Sequence, residues 1–149
     1  MSAFTSNRRS RRRIEKVFGV DTTLIEDGTY FVCEIGGVPA GCGGWSRRAT
    51  LFGGDQFSVR DAALLDPTQQ PARIRAFFVC PARARQGIAR AILERCETEA
   101  GACGFRAFEL MATLPGVPLY LACGYSAGER VSVEIASGLT IEFVPMHKP

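Results

Sequence analysis

The sequence predicts an α/β or α+β sheet domain. Helical and strand periodicities alternate along the chain, which is the pattern of helices packed on a sheet. The 149 residues match the roughly 100 to 200 residues of one domain. A 46% hydrophobic content provides a core that needs no disulfide or metal staples. The expected organisation is a solvated basic tail over residues 1–13 and one folded domain over 14–149.

The elements follow in order. Residues 1–13 repel one another through contiguous arginines and have nothing apolar to bury, so they read as a tail. From Ile14 to Leu24 a short amphipathic stretch can dock Ile14, Val17 and Phe18 on one face. Thr29–Ile35 and Val38–Leu51 are strands joined by Gly36 and Gly37, a tight hairpin turn. Residues 53–70 carry breaker signals and read as a long loop with one short helical turn. Ile74–Val79 is a strand ended by Pro81. Gln86–Cys103 is the clearest helix, with Ile88, Ile92, Cys96 and Ala100 at helical spacing and Gly104 as its stop. Phe105–Met111 is a strand and Val117–Cys123 a short helix. Ser126–Ile135 and Leu139–Met146 form a last hairpin turned at Ser137 and Gly138.

Charge and cysteine usage exclude several classes. Of 18 basic residues, 16 are Arg, and five of these (Arg8, Arg9, Arg11, Arg12 and Arg13) sit together in the tail. Removing those five charges from the net +3 leaves the remainder at −2, so a nucleic-acid-binding domain is not implied, although the RRSRRR run by itself is an electrostatic anchor of the kind that binds DNA. The six cysteines form no CxxC or Cys/His pair, and His147 is the only histidine, so no metal site and no His-based triad is expected. No apolar run approaches the length of a membrane span and no signal segment follows the first charges. A cytoplasmic protein with reduced cysteines is the expectation.

The segment RIRAFFVCPARARQGIARAIL, from Arg73, carries the chemistry. A strand, a turn of small and basic residues, and a helix start near Gly87 follow in direct succession. The first turn of such a helix offers unpaired backbone N–H groups at the positive end of the dipole, an anion site. Arg83 and Arg85 are unfavourable there unless an anion is present, and phosphate is the natural candidate. The loop has neither the Walker A nor the dinucleotide glycine pattern.

The succession Val79-Cys80-Pro81, Arg85-Gln86-Gly87-Ile88-Ala89, amphipathic helix, Phe108-Glu109-Leu110 and Leu119-Tyr120-Leu121-Ala122-Cys123-Gly124-Tyr125 resembles the GNAT N-acetyltransferase superfamily over roughly residues 24–148. The resemblance implies an α+β fold with a mixed, mostly antiparallel central sheet and helices on both faces. With so few residues before the first hairpin, about six strands are expected instead of seven, the N-terminal strand and helix being missing or vestigial. The acceptor pocket is then either open or completed by a second subunit as a homodimer.

The resemblance also implies acetyl-coenzyme A as co-substrate, and no metal. Its pyrophosphate would lie on Arg85, Gln86, Gly87, Ile88, Ala89 and Arg90, and its pantetheine arm along the backbone of Phe77, Phe78 and Val79. Tyr120 matches the tyrosine that protonates the departing thiolate, with packing of the short helix as its other reading. The family pattern usually has Gln or Arg where Ala84 stands here. The strand 74–79 carries no carboxylate, so the candidate bases are Glu34, Asp55 and Glu109, of which Glu34 is preferred, with a water relay as the alternative. Cys80 lacks the histidine that would make it a nucleophile. The loop 53–70, Arg60, Trp45, Arg47 and Arg48 are expected to shape the acceptor side. The leading function is acetyl transfer to a primary amine of a small molecule or peptide by direct attack. An acyl-coenzyme A binding or regulatory module of little activity is the alternative.

Overall fold

The computed structural model describes residues 3–5, 22–49, 63–136 and 138–149. The elements are β1 (Ala3–Thr5), α1 (Thr22–Asp27), β2 (Tyr30–Ile35), β3 (Val38–Ser46) and β4 (Ala72–Val79), then α2 (Ile88–Ala102), β5 (Phe108–Thr113) and α3 (Val117–Ala122). β6 (Ser126–Ala127), β7 (Val131–Ala136) and β8 (Leu139–Lys148) complete the chain. Short 3-10 turns at Pro81–Arg83 and Leu114–Gly116 precede α2 and α3.

The strands form one sheet in the order β1-β2-β3-β4-β5-β8-β6, with β7 also paired to β8. Among the described residues β4 and β5 are parallel and the other pairs are antiparallel. The period-2 alternation of the strands decides which side each helix covers. Phe31, Cys33, Trp45, Ile74, Leu110 and Met146 share a core with Ile88, Ile92, Leu93, Cys96 and Ala100 of α2 and with Tyr120 of α3. Tyr30, Val32 and Cys42 point the other way and pack with Leu24 of α1. The mixed, mostly antiparallel sheet with helices on both faces is therefore the observed fold.

Element boundaries shift where local hydrogen bonds compete with the sequence pattern. Gly36 and Gly37 both have positive φ (59° and 77°), the backbone of the expected tight hairpin. Phe105 is not in β5, because its N–H bonds Ala100 O at 3.1 Å and closes α2 around Gly104. β3 ends at Ser46, well before Leu51, and the ends of the following loop pair across Arg48 and Leu64. Residues 50–62, including Asp55 and Arg60, lie outside the described residues.

Among the described residues the sheet has eight strands, where about six were expected. One addition is a split: Gly128 N–H turns to Pro145 O at 2.8 Å, so the expected strand 126–135 becomes β6 and β7. The other is β1, whose three residues pair with β2 from Ala3–Glu34 to Thr5–Val32. A three-residue strand beside an arginine run has too little alternation to be read from sequence. The first strand is thus present but vestigial. Residues 6–13 of the expected tail, and 14–21 of the expected amphipathic stretch, lie outside the described residues.

Candidate active site at the open end of the sheet

The β4–β5 register runs from Ala72–Phe108 to Ile74–Leu110 and ends there, although β4 continues to Val79 and β5 to Thr113. The cause lies on the other side of β4. Between the pairs Cys42–Phe78 and Gly44–Arg75 the β3 register shifts, so that Gly43 alone spans Ala76 and Phe77. Ala76 takes φ +63° at this bulge, a left-handed conformation that costs a non-glycine residue roughly 1–2 kcal/mol. A bulge increases local twist and bends its strand, which carries the end of β4 away from β5.

The bulge also re-aims the side chains after it. Phe77 turns to the α2 face and lies flat over Gly43: a Cβ at that glycine would stand 2.7 Å from the ring. Glycine inside a strand is the mark of such a close approach. On its other side Phe77 meets Tyr120 edge to face, with centroids 6.3 Å apart at 75°. Phe78, next along, keeps 44% of its surface exposed at the open end.

After Val79 the chain enters the turn that was expected to hold an anion. Cys80 N–H bonds Ala40 O at 2.8 Å, and the 3-10 turn begins at Pro81. Arg85 and Gly87 take φ +62° and +77°, and α2 starts at Ile88 with no side-chain cap. The bond from Ala91 N–H to Gly87 O (3.0 Å) opens the helical ladder, so the N–H groups of Ile88, Ala89 and Arg90 precede it and have no carbonyl within the helix to bond. Arg85, Gln86, Gly87 and Arg90 are exposed around them and Arg83 is half-buried. The Ile88 side chain is in the core (4% exposed), so only its backbone faces the cradle. Three orphan donors, a helix dipole and a glycine with open space at its Cβ position fit a pyrophosphate, and the open edge of β4 fits an extended arm with amide groups.

Tyr120 is held on a helix of six residues. Gly124 closes that helix at φ +95°, and Tyr125 N–H bonds Tyr120 O at 3.0 Å. Burial pushes the Tyr120 hydroxyl well above the ordinary tyrosine range, so it stays protonated at neutral pH. Cys42 is likewise driven up, to about 11, by burial, and stays a thiol.

The carboxylate candidates separate. Glu34 lies two strands from β4, paired with Ala3 and Pro39 beside a register shift at Cys33. Glu109 faces Arg73 across the closed part of the β4–β5 register and forms an ion pair with it. Trp45, expected on the acceptor side, is instead fully buried and stacks edge-on against Phe105. Arg47 covers the Trp45 ring, and Arg48 makes two 2.9 Å bonds to Asp27 of α1. Trp45 falls on the α2 side of β3, in the core with Phe31 and Cys33, while Arg47 and Arg48 lie just past the end of that strand. The run Gly41-Cys42-Gly43-Gly44 was the available signal for the bulge, because glycines seldom cluster inside a strand without one.

The family model for the acetyltransferase (GNAT) family matches residues 3–125. The chain belongs to the GNAT acetyltransferase family. No curated protein matches the sequence. Among solved structures, Ard1 from Thermoplasma volcanium superposes with a TM-score of 0.68 at 14% identity, over 99% of this chain and 96% of the other. The ribosomal-protein-S18-alanine N-acetyltransferase from Escherichia coli gives 0.65 at 16%, over 100% and 94%. A putative acetyltransferase from Salmonella typhimurium, solved with its cofactor acetyl-CoA, gives 0.61 at 16%, over 95% and 72%. At these identities the likeness shows the GNAT fold. Among the described residues no helix is long and apolar enough to cross a membrane.

Proposed function

We propose that this GNAT domain transfers the acetyl group of acetyl-coenzyme A to a primary amine of a small molecule or peptide by direct attack. The observation that carries the reading is the end of the β4–β5 register at Ile74–Leu110, which leaves the end of β4 open beside Tyr120 and above the uncapped start of α2. Two of the neighbouring structures are ribosomal-protein-alanine N-acetyltransferases, which supports an amine as the acceptor class.

Acetyl-coenzyme A supplies the acyl thioester. The N–H groups of Ile88, Ala89 and Arg90, with Arg85 and Arg83 beside them, hold the pyrophosphate; Gln86 and Gly87 shape the loop. The backbone of Phe77, Phe78 and Val79 aligns the pantetheine arm, and N–H groups at Phe78 and Val79 serve the carbonyl oxygen as it gains charge. A neutral amine forms the C–N bond as the C–S bond breaks. Tyr120 gives its hydroxyl proton to the leaving sulfur, and Glu34, through water, takes the proton that the amine loses.

Thiol release over a panel of primary amines tests this reading. Tyr120→Phe is expected to lower kcat by about 100-fold with the KM for acetyl-coenzyme A nearly unchanged. Full activity of that variant overturns the role of Tyr120, and binding without turnover of any amine favours the alternative of a binding module.

A further inference from the structure

A cluster outside the acetyl site joins three distant parts of the chain: Glu97 in the middle of α2, Tyr125 just after α3, and Lys148 at the end of β8. The Tyr125 hydroxyl donates to Glu97 Oε1 at 2.9 Å. Lys148 Nζ donates to Oε1 at 3.2 Å and to Oε2 at 3.0 Å, and stands 5.7 Å from the centre of the Tyr125 ring. Glu97 is therefore engaged on both oxygens, and its side chain is only 16% exposed. A carboxylate so far from water needs its cation; a tyrosine hydroxyl on a ring 3% exposed needs its acceptor. Burial and the Glu97 charge both keep the Tyr125 phenol protonated, so this donor persists across the neutral range.

The cluster ends on the proposed acid. The Tyr125 ring meets Tyr120 edge to face at 5.9 Å and 70°, and Tyr120 meets Phe77 on its other side. Tyr120 is thus gripped between a ring set by the β4 bulge and a ring set by Glu97 and Lys148. The helix that bears it is too short to hold its own shape without tertiary contacts. We infer that Glu97 and Lys148 are positioning residues that fix, through Tyr125, the orientation of the Tyr120 ring at the open end of the sheet. The catalytic consequence of this arrangement rests on the reading of Tyr120 as the proton donor; the positioning itself does not.

The chain has three tyrosines, and Tyr30 lies in the other core cluster, which makes it an internal reference for ring-labelled tyrosine spectra of the full chain. Glu97→Gln and Lys148→Met are expected to shift or broaden the ring signals of Tyr120 and Tyr125 while leaving those of Tyr30 in place. With an amine that the wild type acetylates, each variant lowers kcat about tenfold and leaves the KM for acetyl-coenzyme A within about twofold. Added to Tyr120→Phe, Glu97→Gln brings no further loss, because both act through one hydroxyl. Unmoved Tyr120 signals in either folded variant, or losses that multiply with Tyr120→Phe, overturn the inference. Lys148→Met carries the test if Glu97→Gln does not fold. If Tyr120→Phe alone retains full activity, the acid reading fails, and the ring signals by themselves decide the positioning.

Discussion

Ala76 is the residue on which the site turns. Its left-handed backbone, opposite Gly43, converts a regular strand into one whose last residues leave β5 and face about. Gly43 is the other half of the device, since only a residue without Cβ admits the Phe77 ring. Gly43→Ala is expected to cost about 1–3 kcal/mol, as overpacking of a tight contact does, measured by urea unfolding; an unchanged midpoint contradicts the packing described. The turn at Gly87 and the short helix that bears Tyr120 were legible in the sequence because each is a local pattern with a glycine at its end. Glu97, Tyr125 and Lys148 form one cluster from positions 51 residues apart at the extremes, and only folding brings them together. Ala76 was missed because a bulge changes which face a residue occupies without changing the residue, and the burial of Trp45 depends on Phe105, a partner 60 residues away in the chain.

Two elements carry most of the local energetics. At α2, Gly87 adopts φ +77° with nothing near its Cβ position, so Gly87→Ala introduces strain of roughly 1–2 kcal/mol and a methyl group where the ligand must approach. Calorimetry is expected to show acetyl-coenzyme A affinity reduced about tenfold or more; wild-type affinity would remove Gly87 from the cradle. At α1, Asp27 ties a six-residue helix to the sheet through Arg48. The hydrogen bond from Arg48 holds the Asp27 carboxyl below its ordinary value of 3.8. A depressed folded-state value stabilises the protein above the unfolded value and is lost as pH falls through the folded one. Asp27→Asn is therefore expected to lower stability by about 0.5–1 kcal/mol near neutral pH and by nothing at pH well below 3.8. Thermal unfolding across that range checks it, and a constant difference at all pH values contradicts it. Helix α2 and the Gly36–Gly37 hairpin were read correctly because their signals are local. The split of β6 from β7 was not, because Gly128 takes its partner, Pro145, from another strand.

At the scale of the molecule, one sheet is closed over most of its width and open at one end between the parallel strands β4 and β5. The helix that begins under that opening starts with orphan N–H groups, and the short helix beside it carries a protonated tyrosine. The sheet class and the helices on both faces followed from the family resemblance and stand in the structure. β1 extends the sheet past β2 by a pairing of three residues. The proposal of acetyl-coenzyme A in the opening rests on these features together. The most direct measurement is calorimetric titration of the full chain with acetyl-coenzyme A. The account predicts one site with a dissociation constant below about 1 mM, more than about 4 kcal/mol of binding free energy. Absence of binding at millimolar concentration would contradict it.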